Sequence, residues 1–125
     1  MSKRVLVVDD SMLMRRMICE TLEDAGWEIV AEGNDGAEAV RLYEETRPDA
    51  VTMDIVMPGT DGITGLSGIL ALDPDARVVV VSALNQTKLI SQAIRTGAQD
   101  FIAKPFLPEQ LQETLESCLA EPLPT

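Results

Sequence analysis

Apolar and polar positions along the chain switch repeatedly between two periods. Arg4–Val8 (RVLVV) is a short run rich in β-branched residues and reads as a buried strand. From Met12 the positions Met14, Met17, Ile18, Thr21, Leu22 and Ala25 follow the 3.6-residue spacing of a helix, which Gly26 stops. Glu28–Glu32 (EIVAE) alternates as a half-buried strand. Asp35–Thr46 is helical and ends at Arg47-Pro48, because the residue before a proline avoids helical dihedrals. Ala50–Met53 is a third strand. Thr60–Leu72 reads as a helix weakened by Gly62, Gly65 and Gly68. Arg77–Val81 is the most apolar strand, expected to be buried on both faces. Asn85–Thr96 is helical and closes at Gly97, and Asp100–Ala103 is a short fifth strand. Pro108–Ala120 is the last helix, with Leu111, Leu115, Cys118 and Leu119 on one face. The chain is expected to form one domain over 1–120, with the proline-containing tail 121–125 fraying.

Strands alternating with helices predict an α/β fold: a five-stranded parallel sheet with helices on both faces. Parallel neighbours need crossovers, and those are right-handed. Function in such a sheet lies beyond the carboxyl ends of the strands.

Composition narrows the picture. A length of 125 residues suits one domain, and an apolar fraction of 46% excludes a disordered chain. One Trp, one Tyr and two Phe leave an aliphatic core. The net charge of −11 argues against direct binding to nucleic acid or to anionic membranes, both of which need a cationic surface. The N-terminal apolar run is too short for a signal peptide, and no stretch can span a bilayer, so a cytoplasmic location is expected. Cys19 and Cys118 lack metal spacing and read as small buried hydrophobes rather than a disulfide. The chain has no histidine, which excludes histidine nucleophiles, bases and metal ligands.

The candidate chemistry lies in the residues that leave the strands. They are Asp9 and Asp10 after the first, Asp54 at the end of the third, Ser82 and Ala83 after the fourth, and Lys104-Pro105 after the fifth. Each has an ordinary reading by itself: a helix cap, a turn carboxylate, a loop hydroxyl, a solvated lysine. Topology, however, gathers all of them on one sheet edge. Carboxylates so close together repel unless a cation intervenes. Oxygen ligands without His or Cys favour Mg²⁺ over Zn²⁺. A hard cation, a lysine and a hydroxyl suit a phosphoryl group, and the single carboxylate Asp54 is the natural nucleophile toward phosphorus. The motifs Asp61-Gly62 and Asn34-Asp35-Gly36 read as plain turns, and Met12, Met14 and Met17 as core.

From Val5 to about Leu119 the sequence resembles the receiver domain of the two-component response regulators, and most of all the single-domain chemotaxis regulators. The resemblance rests on LVVDDS followed by Met14-Arg15, MDIVMPGTDG around Asp54, VVSA ending at Ser82-Ala83, and DFIAKPF from Asp100. It implies the flavodoxin-like (βα)5 fold with sheet order 2-1-3-4-5. It implies Asp54 as phosphoacceptor, Asp9, Asp10, Asp54 and the Val56 carbonyl as holders of Mg²⁺, and Ser82 and Lys104 as partners of the phosphoryl group. Ser82 and Phe101 would form the switch, and Lys104-Pro105 would be cis. It further implies a sensor histidine kinase or phosphotransfer protein as donor. An output protein, a motor switch or another effector, would bind the face made by the fourth helix, fifth strand and fifth helix. Chemotaxis is the expected pathway.

The sequence also departs from the family. Phe101 replaces the common tyrosine. Val56 and Leu84 are apolar where the family flanks the approach of hydrolytic water, so slow self-dephosphorylation is expected. The last helix carries Glu109, Glu113 and Glu116 but no Lys or Arg, which argues for a monomer. Three competing readings are weighed. A Mg²⁺-dependent aspartyl phosphohydrolase would need an acid where Val56 stands. A flavodoxin-like electron carrier would need a phosphate loop and aromatics. A receiver module from a longer regulator, such as a methylesterase, would use the tail as a linker.

Overall fold

The computed structural model describes residues 3–83 and 85–120. The expected fraying of 121–125 and the role given to Leu84 lie outside them. The order along the chain is β1 (Arg4–Val8), α1 (Met12–Asp24), β2 (Glu28–Gly33), α2 (Gly36–Thr46), β3 (Ala50–Asp54), α3 (Gly62–Leu72), β4 (Val78–Ala83), α4 (Thr87–Thr96), β5 (Asp100–Lys104) and α5 (Pro108–Ala120). The five strands are parallel and lie in the order β2-β1-β3-β4-β5.

Successive side chains of a strand point to opposite faces, so each strand feeds two cores. On one face Leu6, Val8, Val51, Met53, Val78 and Val80 pack with Tyr43, Leu66, Ile69 and Ala93 of α2, α3 and α4. On the other, Val5, Val7, Val79, Val81 and Ile102 pack with Ile18, Leu22, Leu111 and Leu115 of α1 and α5. This explains why β4 is apolar at consecutive positions: both its faces are covered, as its sequence predicts. Cys19 and Cys118 are buried in the second core and form no disulfide, and burial with the nearby Glu32 and Glu23 charges raises the Cys19 thiol to about 11.

Caps fix where the helices begin. Ser11 accepts from the Met14 amide, Asp35 from Glu38 and Asp61 from Thr64. Asp35 and Asp61, read as turn residues, thus also start helices. The third helix begins at Gly62 instead of Thr60 because Asp61 is its cap. The fourth begins at Thr87, two residues later than its periodicity predicts. The alternation expected of β2 is lost, with Ile29, Val30 and Ala31 all half-buried. The cause is a register shift against β1 between Val5 and Leu6, which leaves Val30 unpaired on an edge strand. The core reading holds for Met14, which packs against the second core, and is overturned for Met12 and Met17. Met12 is 69% and Met17 47% exposed, and Met14 is only half-buried. The fully buried stripe of α1 starts only at Ile18.

Candidate functional site

The site forms where β1, β3 and β5 end. β1 delivers Asp9, 1% exposed, into the turn before α1, and β3 ends on Asp54, 8% exposed. The next residue of the first turn, Asp10, is exposed. Carboxylate oxygens of Asp9, Asp10 and Asp54 all lie within 4.8 Å of one another. Lys104 comes from the end of β5, and its Nζ donates to Asp9 Oδ2 at 3.1 Å and to Asp54 Oδ2 at 3.3 Å. One ammonium from β5 therefore reaches the carboxyl ends of two neighbouring strands, β1 and β3, neither of which pairs with β5.

Backbone groups complete the setting. Asp9 Oδ1 accepts from the Ser11 amide at 2.9 Å, and Asp54 Oδ1 accepts weakly from the Val56 amide at 3.4 Å. The Asp9 amide donates to the Gly33 carbonyl of β2 at 3.0 Å. Its carbonyl accepts from an Arg15 guanidinium nitrogen at 2.6 Å. On the far side of Asp54, the Gly62 amide bonds the Ile55 carbonyl at 2.8 Å. A Cβ on Gly62 would sit 2.0 Å from the Asp54 carbonyl oxygen, so only glycine lets α3 begin against the backbone of Asp54.

The electrostatics are unbalanced. Burial pushes the Asp54 carboxyl above its ordinary value; Lys104 opposes this, and Asp9 adds to it. Burial pulls Lys104 down, but the Asp54 and Asp9 carboxylates more than offset that, and its ammonium is held above the usual lysine value. Three carboxylates face this one lysine ammonium, and they are an all-oxygen donor set. That fits a hard divalent cation, which would relieve the repulsion. Ser82 is 1% exposed, and its Oγ has no hydrogen-bond partner among the described residues. A buried hydroxyl without a partner costs about 1–3 kcal/mol, so it marks a place where a further acceptor or donor fits.

The structure brings Asp9, Asp10, Asp54 and Lys104 together and puts Ser82 near the carboxyl end of the adjoining β4; two other predicted residues stand differently. Val56 has an exposed side chain, 52% accessible. Phe101 stands outside the acid cluster: it is paired with Val80 in register, on the face that α4 covers, and is 40% exposed. The expected cis bond is present at Lys104-Pro105. Two residues were not picked out for a role at the site from sequence, Arg15 and Gly62. Arg15 stands four residues after the Ser11 cap, one helical turn, and that spacing alone could have placed it under the acidic turn.

A parallel five-stranded sheet in this order, with an acid triad and a lysine at its carboxyl edge, defines a receiver-type phosphoacceptor domain. The model of the response regulator receiver domain matches residues 5–116, and the chain belongs to that family. Within it, the chain is homologous to the chemotaxis protein CheY, a phosphoacceptor response regulator. It is 46% identical to CheY of Thermotoga maritima over 115 residues, covering 92% of this chain and 96% of that protein. It is also 46% identical to CheY of Bacillus subtilis, covering 95% and 99%. Among solved structures it is similar to the CheX-CheY-BeF3-Mg²⁺ complex from Borrelia burgdorferi, with TM-score 0.89, 36% identity and coverage of 94% and 90%. No described helix is long and apolar enough to cross a membrane.

Proposed function

We propose that Asp54 is the phosphoacceptor and that the acid cluster holds Mg²⁺ through Asp9, Asp10, Asp54 and the Val56 carbonyl. The observation that carries this reading is Lys104 bridging Asp9 and Asp54, with the buried Ser82 hydroxyl near the end of the adjoining β4 unpartnered among the described residues. A carboxylate oxygen of Asp54 attacks phosphorus, the P–N bond of a donor phosphohistidine breaks, and the imidazole leaves with a proton from solvent. Bound Mg²⁺ supplies charge neutralisation to the transferring group. Lys104 contributes the second positive charge, and Ser82 donates to a phosphoryl oxygen. The absence of histidine fits a donor on another protein.

The partners are then a sensor histidine kinase or phosphotransfer protein and an effector that binds across α4, β5 and α5. Exposed Phe101 supports that face, since an aromatic ring at a strand edge can turn inward when Ser82 shifts toward the phosphoryl group. A chemotaxis pathway is supported by the similarity to CheY proteins. A turnover phosphohydrolase is disfavoured because the Val56 side chain has no proton to give a leaving group.

The test is incubation with a small acyl-phosphate donor and Mg²⁺, read by intact mass. One phosphoryl group is expected on wild-type protein, none on Asp54→Asn, and none on wild-type protein with chelator. Labelling of Asp54→Asn at the wild-type rate would sink the assignment.

A further inference from the structure

Arg15 enters the acid site from its backbone side. Its short hydrogen bond to the Asp9 carbonyl, 2.6 Å, is its best-defined contact. The ordinary explanation of a half-buried arginine is an ion pair that staples two elements. Glu32 at the end of β2 is the candidate partner, but its carboxylate is 3.4 Å from Arg15 Nε, and its side chain is 50% exposed. That Nε is buried and makes no hydrogen bond with any described residue. Nε thus meets Glu32 only as a long ion pair with a half-exposed partner, and such a pair contributes little to stability. Stapling α1 to β2 therefore does not account for where Arg15 is held.

The Asp9 side of the contact does account for it. The Asp9 amide is fixed by Gly33, Oδ1 by the Ser11 amide and Oδ2 by Lys104, which leaves the carbonyl as its remaining polar group, and Arg15 takes it. This carbonyl belongs to the peptide joining Asp9 to Asp10. Its orientation sets the direction in which the chain leaves Asp9 and hence where the exposed Asp10 carboxylate points. We infer that Arg15 is a positioning residue for the cation site: by holding the Asp9–Asp10 peptide it presets both carboxylates for a divalent cation. The inference rests on the reading of the acid cluster as a Mg²⁺ site. It also runs against simple electrostatics, because a nearby positive charge used only as a charge would repel the metal. The two roles predict opposite signs.

The experiment is calorimetric titration of Mg²⁺ into the full chain, beside thermal melts without metal. Arg15→Met keeps the aliphatic stem and removes the donor and the charge. It is expected to bind Mg²⁺ about tenfold more weakly, the scale for losing a group that orients metal ligands. Arg15→Lys, which keeps charge and one reachable donor, is expected to fall between it and wild type. Glu32→Gln is expected to stay within about twofold of wild type, since the carbonyl contact is untouched. Equal or tighter binding by Arg15→Met would overturn the inference, as would equal weakening in Glu32→Gln. Should Arg15→Met not fold, wild-type affinity in Arg15→Lys, together with weakening in Glu32→Gln, would overturn it as well. Failure of wild-type protein to bind Mg²⁺ would overturn the cation site itself, a result distinct from a wild-type site that does not respond to Arg15.

Discussion

At the scale of single residues, Tyr43 shows how burial and one hydrogen bond set a pH limit on the fold. It is 3% exposed, and its hydroxyl donates to Asp73 Oδ2 at 2.8 Å, joining the end of α2 to the end of α3. Burial first, then the Asp73 carboxylate, raise its phenol well above the usual value. Because the folded state binds this proton more tightly, the contribution to stability is whole below the unfolded value of about 10 and is lost as pH rises beyond it. Tyr43 is the chain's single tyrosine, so phenolate absorbance reports it alone. Phenolate is expected to form together with loss of far-ultraviolet dichroism, not before it. A normal titration near pH ~10 in intact protein would contradict the burial argument. Tyr43→Phe is expected to cost about 1 kcal/mol in denaturant unfolding, the usual scale for one hydrogen bond.

At the scale of elements, the glycines of α3 are explained by its neighbours and not by its own propensity. Three glycines weaken an isolated helix, yet α3 runs unbroken from Gly62 to Leu72. A Cβ on Gly65 would lie 2.8 Å from Gly36 Cα and 3.1 Å from its carbonyl, so α2 and α3 approach backbone to backbone. Gly65→Ala is therefore expected to lower stability by roughly 1–2 kcal/mol, because overpacking outweighs the gain in helix propensity. An exposed helical glycine would respond the other way, and stabilisation on urea unfolding would show that the helices part freely. The close approach also matters for function, since Gly36 bonds the Thr60 carbonyl in the loop that leads from Asp54 to α3.

At the scale of the whole molecule, a net charge of −11 and a clustered acid site are expected to make the metal-free protein the less stable form, if the cluster holds Mg²⁺ as proposed. Mg²⁺ at about a hundred times its dissociation constant is expected to add roughly 2.7 kcal/mol. The melting midpoint should rise with MgCl2 and rise much less with KCl at equal ionic strength. An equal rise with both salts would mean general screening only. Asp54→Asn should raise the midpoint of the metal-free protein, because it removes one buried carboxylate whose ionisation the fold disfavours.

Sequence alone determined the order of elements, the α/β class, the doubly covered β4 and the sheet edge on which Asp9, Asp10, Asp54, Ser82 and Lys104 meet. Hydrophobic period depends on local geometry, and the strand ends follow from parallel topology, so both are written along the chain. Tertiary structure decided what depends on neighbours distant in sequence. The register shift at β1 and β2 removed the alternation of β2. The folded chain leaves Met12 and Met17 exposed, although their helical spacing is that of a core stripe. Only the folded chain shows that Lys104 bridges two carboxylates, that the Ser82 hydroxyl has no partner among the described residues, and that Arg15 holds the carbonyl of Asp9. A period says which face a side chain takes. What it meets there depends on distances between elements that no local pattern encodes.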